Sequence, residues 1–232
     1  MRALSNADLL DLWERGSSLH PMDRGLLALH TALAETSFES LADWPLGRRN
    51  QALAELRCSW FGARLEAWTA CPRCGEKLEF QMDARTLAAD APVAGPITVK
   101  GQSFRFPTSR DLARSLRETA PRTAAVRLLE SCRLDAGEPP TWSEQDIDEI
   151  GEQMALGDPL AETRLSLDCP ACANQWDEAL DISAFLWTEI DARARRLLLE
   201  IHALASTYGW TERQVLSLSE ARRAVYLEMC HA

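Results

Sequence analysis

Cys71-Pro72-Arg73-Cys74-Gly75 and Cys169-Pro170-Ala171-Cys172 are the two stretches whose reading decides the fold of this chain. Each is a Cys-Pro-x-Cys turn between two short runs with a period of two. Arg64-Leu65-Glu66-Ala67-Trp68-Thr69 alternates before the first turn, and Lys77-Leu78-Glu79-Phe80-Gln81-Met82 alternates after it. Residues 163–168 and 174–179 flank the second turn in the same way. Such alternation marks half-buried strands, so each unit reads strand, knuckle, strand. A Cys-x-x-Cys turn presents two thiolates to one ion. Two such turns complete a tetrahedral shell with sulfur about 2.3 Å from zinc. Cys71, Cys74, Cys169 and Cys172 are therefore the expected ligands of one structural Zn2+. Gly75 suits a positive φ in the first knuckle. Position 173 is Ala, so the second turn is expected to be looser or to take its positive φ at Asn174.

The gap between the turns is long: 94 residues separate Cys74 from Cys169. The expectation is one zinc ribbon in two halves, residues 63–84 and 163–180, with residues 85–162 inserted between them. Two other uses of the cysteines fit less well. A thioredoxin-like redox site needs a single Cys-x-x-Cys at a strand-to-helix junction. A catalytic zinc needs an open position, which four thiolates do not leave. The total of seven cysteines is odd, which favours reduced thiols over a disulfide framework. Cys58, Cys132 and Cys230 read as core or surface thiols.

Helices surround the ribbon. Upstream, in residues 1–62, Ser5 with Asp8 resembles a capping box ahead of Leu9, Leu10 and Leu12. Pro21 suits a first helical position before Leu26, Leu27, Leu29, His30 and Leu33. A third helix is predicted over about Leu46 to Phe61, with Leu53, Leu56 and Trp60 on one face. Inside the insertion, residues 97–106 read as a hairpin and 109–134 as helical. Residues 135–158, with eight acids and no base, read as a loop and a solvated acidic helix. Downstream, in residues 181–232, Ile182, Leu186, Ile190, Leu197, Ile201, Leu204 and Tyr208 form one apolar stripe that ends at Gly209. Thr211 and Ser219 then suit caps of two short helices. The fold class is α+β: mostly helical, with a split zinc-ribbon β unit carrying a mixed insertion.

Composition narrows the function. At 232 residues and 46% apolar content the chain is long and apolar enough for a real core, and its net charge is −10. That charge opposes general binding to phosphate backbones or anionic lipid. No run is apolar enough to span a bilayer, and the first residues lack a signal peptide's pattern, so the expected compartment is the cytoplasm. No phosphate-cradling loop, nucleophile elbow or zinc-protease helix is present. His30 and His202 sit beside apolar residues and read as packed rather than catalytic, so the chain is expected not to be an enzyme. The segment from Leu204 to Met229 superficially resembles a helix-turn-helix. Residues 181–232 carry six basic and seven acidic residues, however, not the basic excess of a DNA reader. The eight tryptophans read mainly as core filling. Trp187, Tyr208, Trp210 and Tyr226, with Arg222 and Arg223, are the candidate partner-binding residues, because interfaces favour such aromatic and guanidinium anchors.

Taken together, these segments resemble the T-even-phage-type baseplate hub assembly chaperones of phage tails and related contractile injection systems. The resemblance runs through Asp8-Leu-Leu-Asp-Leu-Trp13-Glu-Arg-Gly16, His20-Pro-Met-Asp23-Arg24-Gly-Leu-Leu, Leu46-Gly47-Arg48-Arg49 and Trp60-Phe61-Gly62-Ala-Arg64-Leu65-Glu66. It continues through the first knuckle, Phe104-Arg-Phe106-Pro107-Thr-Ser-Arg110-Asp111-Leu112 and the second knuckle. It ends with Asp181-Ile-Ser-Ala-Phe185-Leu-Trp187-Thr-Glu189, Tyr208-Gly209-Trp210 and Arg222-Arg223-x-x-Tyr226-Leu227. Ala173, and Gly25 where the pattern favours Ala, depart from it. The resemblance implies a non-enzymatic role in assembling a baseplate hub, with hub or other tail proteins as partners and no membrane. The protein would then act in the cytoplasm of the producing cell or be incorporated in a tail or injection particle. The alternative is a zinc-ribbon nucleic-acid-binding or transcription-related protein, which the charge disfavours.

Overall fold

A computed structural model describes residues 2–87, 95–138 and 140–230. Residues 88–94 and Pro139 of the predicted insertion lie outside the described residues, as do both chain ends. The fold is α+β and mostly helical, with three small antiparallel hairpins among the described residues. The N-terminal helices are α1 (Asn6–Ser17), α2 (Pro21–Ala32), α3 (Phe38–Ala42) and α4 (Leu46–Phe61). The first knuckle hairpin follows as β1 (Arg64–Ala70) and β2 (Lys77–Asp83). The insertion contains β3 (Ile97–Val99), β4 (Gln102–Phe104), α5 (Ser109–Ser115), α6 (Pro121–Cys132) and α7 (Glu144–Gly157). The second knuckle hairpin is β5 (Thr163–Asp168) and β6 (Gln175–Leu180). The chain then runs into α8 (Ile182–Tyr208), α9 (Glu212–Leu216) and α10 (Glu220–Cys230).

Local chemistry explains where these elements start. Ser5 and Asp8 form the reciprocal capping box of α1, and Pro21 opens α2. Asp181 caps the 27-residue α8 by accepting from the N–H groups of Ser183 and Ala184. Gly209 closes α8 in the left-handed conformation, at φ +66°. Ser219 Oγ accepts from the Arg222 N–H at the start of α10. The predicted helix over 109–134 is two helices, because the chain breaks before Pro121, which supplies the first position of α6.

The stripe on α8 organises the main core. Ile182, Leu186, Ile190, Leu197, Ile201 and Leu204 are buried, with Ala194 completing the spacing. Tyr208, the last predicted member, is exposed at the helix end. Leu9 and Leu12 of α1, Leu26 and Leu29 of α2, Leu53 and Leu56 of α4, and Val215 of α9 join this core. Full burial of each such side chain is worth about 1.5–3 kcal/mol relative to exposure. Gly25 is the close-approach point between α2 and α8: a Cβ there would lie 2.3 Å from Ser183 Oγ. Its cost in helix propensity is therefore offset by packing. A bidentate ion pair crosses the same core. Arg57, 2% exposed, donates to Glu189 at 2.9 and 2.7 Å and to the Gly62 carbonyl at 2.7 Å.

The insertion has its own small core of Val99, Phe104, Leu129, Cys132, Trp142, Ile150 and Met154. It is fastened to the helical body at both ends. The Leu46 N–H donates to the Pro107 carbonyl, and Arg49 donates to Ser109 Oγ. Asn50 donates to the carbonyls of Leu160 and Ala161. Within the joint, Arg105 grips the buried Asp111 with two hydrogen bonds, and Thr108 and Asp111 box-cap α5. Among the described residues no helix is long and apolar enough to cross a membrane.

Candidate metal centre

The strands of each knuckle hairpin pair in full register, from Arg64↔Asp83 to Ala70↔Lys77 and from Thr163↔Leu180 to Asp168↔Gln175. Each knuckle therefore sits at the tip of its hairpin. The bases of both hairpins root in the main core through Leu65, Met82 and Leu180. Along the hairpins, the Glu178 carboxylate accepts from Thr69 Oγ at 3.3 Å and from Trp176 Nε1 at 3.1 Å. One acid thus latches the two hairpins partway to their tips.

The two knuckles are copies of one turn. The Cys71 N–H donates to the Glu76 carbonyl at 2.8 Å, and the Gly75 N–H to the Cys71 carbonyl at 2.9 Å. The Cys169 N–H donates to the Asn174 carbonyl at 2.9 Å, and the Ala173 N–H to the Cys169 carbonyl at 2.9 Å. The left-handed residue is Gly75 in the first, at φ +76°, and Ala173 in the second, at φ +54°. This corrects the expectation of a looser second turn or a positive φ at Asn174. The hydrogen-bond pattern fixes which position must be left-handed, and alanine bears the strain there.

The four thiols converge. Cys71 Sγ lies 3.7 Å from Cys172 Sγ, Cys74 Sγ lies 3.6 Å from Cys169 Sγ, and all four sulfurs fall within 4.8 Å of one another. A tetrahedron with metal–sulfur bonds of about 2.3 Å has edges near ~3.8 Å, so this cluster has the dimensions of a tetrahedral thiolate shell. None of the seven cysteines is in a disulfide. The four cysteines can hold a metal ion, as the spacing predicts. Cys71 and Cys169 are buried, Cys172 is half-buried and Cys74 is exposed, so the centre closes against the hairpins and faces solvent at one corner.

The electrostatics are those of crowded thiols. Burial opposes ionisation of Cys71. Hydrogen bonds from the N–H groups of Cys74 and Arg73 and from neighbouring thiols outweigh it, and bring its pKa to about 7. At Cys74 the Glu76 N–H favours the thiolate. Hydrogen bonding with Cys172, Cys169 and Cys71, together with burial, overrides that and pushes its pKa up to about 12. One anion forms readily and the next is resisted. A divalent cation at the centre inverts this balance and favours all four thiolates.

The remaining cysteines are single. Cys132 is buried in the insertion core, where desolvation and the Asp111 charge push it up to about 12. Cys58 and Cys230 are half-buried. Among the described residues the histidines do not converge on the cysteines. His20 caps α2 through Nδ1, and His30 Nδ1 is bonded to the Thr36 carbonyl. His202 is exposed, not packed as expected, because it falls on the solvent side of α8.

The candidate partner residues divide into two groups. Tyr208, Trp210 and Tyr226 form one cluster: Tyr208 stacks on Trp210 at 4.8 Å, and Tyr226 meets Trp210 edge-on at 4.9 Å. The cluster pins the end of α8 to α10. Trp187 is half-buried, held under the Arg24 guanidinium at 4.9 Å and against Gly16, where a Cβ would lie 2.2 Å from its ring. Arg222 is exposed. Arg223 is not available to a partner: it is 3% exposed and donates to Glu200 at 3.1 Å and to the Leu218 carbonyl at 2.9 Å. Trp68, read with the other tryptophans as core filling, is 63% exposed on the outer face of β1 under the Lys77 ammonium. In comparisons with known proteins, the chain matches no protein-family model, no curated protein and no solved structure.

Proposed function

We propose that this protein is a non-enzymatic assembly protein of a tail baseplate hub, in a phage or a contractile injection system, and that one structural Zn2+ staples its fold. Cys71, Cys74, Cys169 and Cys172 would hold the ion. The zinc supplies a fixed divalent charge that gathers four thiolates, and a shell of four leaves it no open position for a substrate. Its effect is mechanical. It would join hairpin tips about a hundred residues apart in sequence, a link that restricts the unfolded chain across the whole insertion.

The observation that carries the reading is where the resembling stretches fall. Leu46-Gly47-Arg48-Arg49 and the stretch from Phe104 to Leu112 meet at the joint between helical body and insertion. Trp187 packs against the α1 stretch that precedes it in the same resemblance. Tyr208, Trp210 and Tyr226 form one cluster. The residues that carry the likeness thus form a connected framework rather than scattered matches. Its partners are the hub or other tail proteins. It acts in the cytoplasm of the producing cell or stays in the finished particle.

The test is deletion of the gene in the producing phage or cell, followed by electron microscopy of the particles. The expected result is loss of baseplates or of whole tails, restored by the wild-type gene and not by a Cys74→Ser, Cys169→Ser variant. Intact, infective or injecting particles from the deletion would overturn the reading. Mass spectrometry of purified wild-type particles then distinguishes a retained subunit from a released chaperone. The exposed Trp68 beside Lys77 is the feature that favours the nucleic-acid alternative. Binding of duplex DNA at physiological salt that survives competitor DNA would establish that alternative instead.

A further inference from the structure

Among the described residues three guanidinium groups are buried, those of Arg49, Arg57 and Arg223, and two of them have a carboxylate in contact: Arg57 has Glu189 and Arg223 has Glu200. Arg49 does not. It is 9% exposed, yet its hydrogen bonds go to neutral groups: Nε and one terminal nitrogen donate to Asn50 Oδ1 at 3.0 and 2.8 Å, and the other terminal nitrogen donates to Ser109 Oγ at 2.9 Å. A guanidinium has five donors. Three are used, which leaves one N–H on each terminal nitrogen. Both neutral partners are themselves fixed: the Asn50 amide donates to two carbonyls, and Ser109 begins α5.

A cavity of about 240 Å³ opens onto this group. Arg49 and Ser183 form its buried part, Met22 and Leu112 its apolar walls, and Thr163 and Asp181 its edge. It sits where the helical body, the insertion and the second knuckle hairpin meet. Drug-sized ligands need roughly 300–1,000 Å³, so this space suits one small group. The acids nearby are committed elsewhere. Asp181 accepts from the α8 N-terminus, Asp158 from the Gly47 N–H, and Glu162 from Arg164. A buried cation without a counter-ion is costly, and a carboxylate that takes two parallel N–H donors removes that cost. Burial lowers the pKa of Arg49, with the Asp181 charge opposing only in part.

We propose that the Arg49 cavity is a receptor for a single carboxylate group, either a small free acid or an acidic side chain of a bound protein. The inference stands apart from the baseplate reading, because it concerns which anion the isolated chain accepts.

The test uses the full metal-loaded chain. Thermal unfolding is followed while acetate replaces chloride at constant ionic strength, and again with N-acetyl-aspartyl amide in place of acetate. The expected result is a saturable rise in Tm for the wild type that is lost in Arg49→Gln. Arg49→Lys keeps the charge without the fork and should bind roughly tenfold or more weakly. Stabilisation by both probes identifies a cavity open to acidic side chains, and stabilisation by acetate alone identifies a small-acid site. No saturable shift in the wild type overturns the proposal, as does an equal shift in Arg49→Gln. If Arg49→Gln does not fold, an acetate affinity in Arg49→Lys equal to the wild type overturns it.

Discussion

Asp158 stands where a side chain on Gly47 would be. Its Oδ2 accepts from the Gly47 N–H at 3.0 Å, and a Cβ on Gly47 would lie 1.7 Å from its Oδ1. The reason lies at the start of α4. Its N-cap is Pro45, which offers no side-chain acceptor. The cap is supplied instead by a residue that follows α7, so the same contact caps one helix and fastens the insertion. Gly→Ala inside a helix ordinarily gains up to about 1 kcal/mol. Here the sign reverses: Gly47→Ala should cost about 2 kcal/mol through overpacking. Asp158→Ala should cost about 1 kcal/mol as a lost cap. In the Asp158→Ala background the clash is gone, so Gly47→Ala should become neutral or stabilising. Denaturant unfolding of the four proteins in this cycle measures the coupling, and simple additivity would contradict the contact.

Metal loss gives the second prediction. Purified protein should carry one zinc per chain, and X-ray absorption should show sulfur alone, near ~2.3 Å. Cys74→Ser or Cys169→Ser should lower stability by several kcal/mol, because metal-binding energy is folding energy here. Elemental analysis of protein purified without chelator is decisive. Protein with no metal would defeat the assignment, and stoichiometric iron would replace zinc by another tetrahedral thiolate ion.

The second knuckle yields the third prediction. Alanine at φ +54° occupies a conformation that costs a non-glycine residue about 1–2 kcal/mol. Ala173→Gly relieves that cost, partly offset by glycine's freer unfolded chain, for a net gain of about 0.5–1 kcal/mol. Gly75→Ala makes the reverse change in the first knuckle and should lose a similar amount. Melting of the metal-loaded variants reads both.

Asp111 predicts the acid limb. It is buried, which raises a carboxyl's pKa, but Arg105 and Thr108 hydrogen-bond its charged form and hold it below the ordinary carboxylate range. A folded pKa below the unfolded one contributes stability that is present above the unfolded value and lost as pH falls through the folded one. The protein should therefore lose stability below about pH 4. Asp111→Asn should cost about 2 kcal/mol at neutral pH and flatten that acid limb. An acid limb unchanged in the variant would remove Asp111 from the account.

The elements most readable from sequence were those set by local chemistry. Ser5 with Asp8, Pro21, and the span from Leu46 to Phe61 each announce a helix through neighbours a few residues away, and period-two runs announced the knuckle strands. The four-cysteine cluster was readable for the same reason, since two thiols per turn is a local pattern. What sequence hid depends on distant partners. Gly47 needs Asp158, and Gly25 needs Ser183. The burial of Arg223 depends on Glu200, one helix away, and no apolar periodicity counts an arginine as core. The five-residue α3 is too short to show a period at all.

Arg222 and Arg223 are adjacent, and the structure gives them opposite roles. Arg223 lies against α8, with its guanidinium divided between Glu200 and the Leu218 carbonyl. Removing it leaves Glu200 partly buried with only the exposed Arg196 as partner. Arg223→Ala should therefore lower stability by about 3 kcal/mol, the cost of breaking a buried pair from one side. Arg222 points to solvent, and its removal should change stability by less than about 0.5 kcal/mol. The two effects separate folding from partner binding. If the α10 surface engages a hub component, Arg222→Ala should fold normally yet fail to restore particles in the deletion strain. Arg223→Ala should fail through lost stability, and its protein level should fall in proportion. Normal assembly with Arg222→Ala would take this arginine out of any interface and leave the Tyr208, Trp210 and Tyr226 cluster as a seam between α8 and α10.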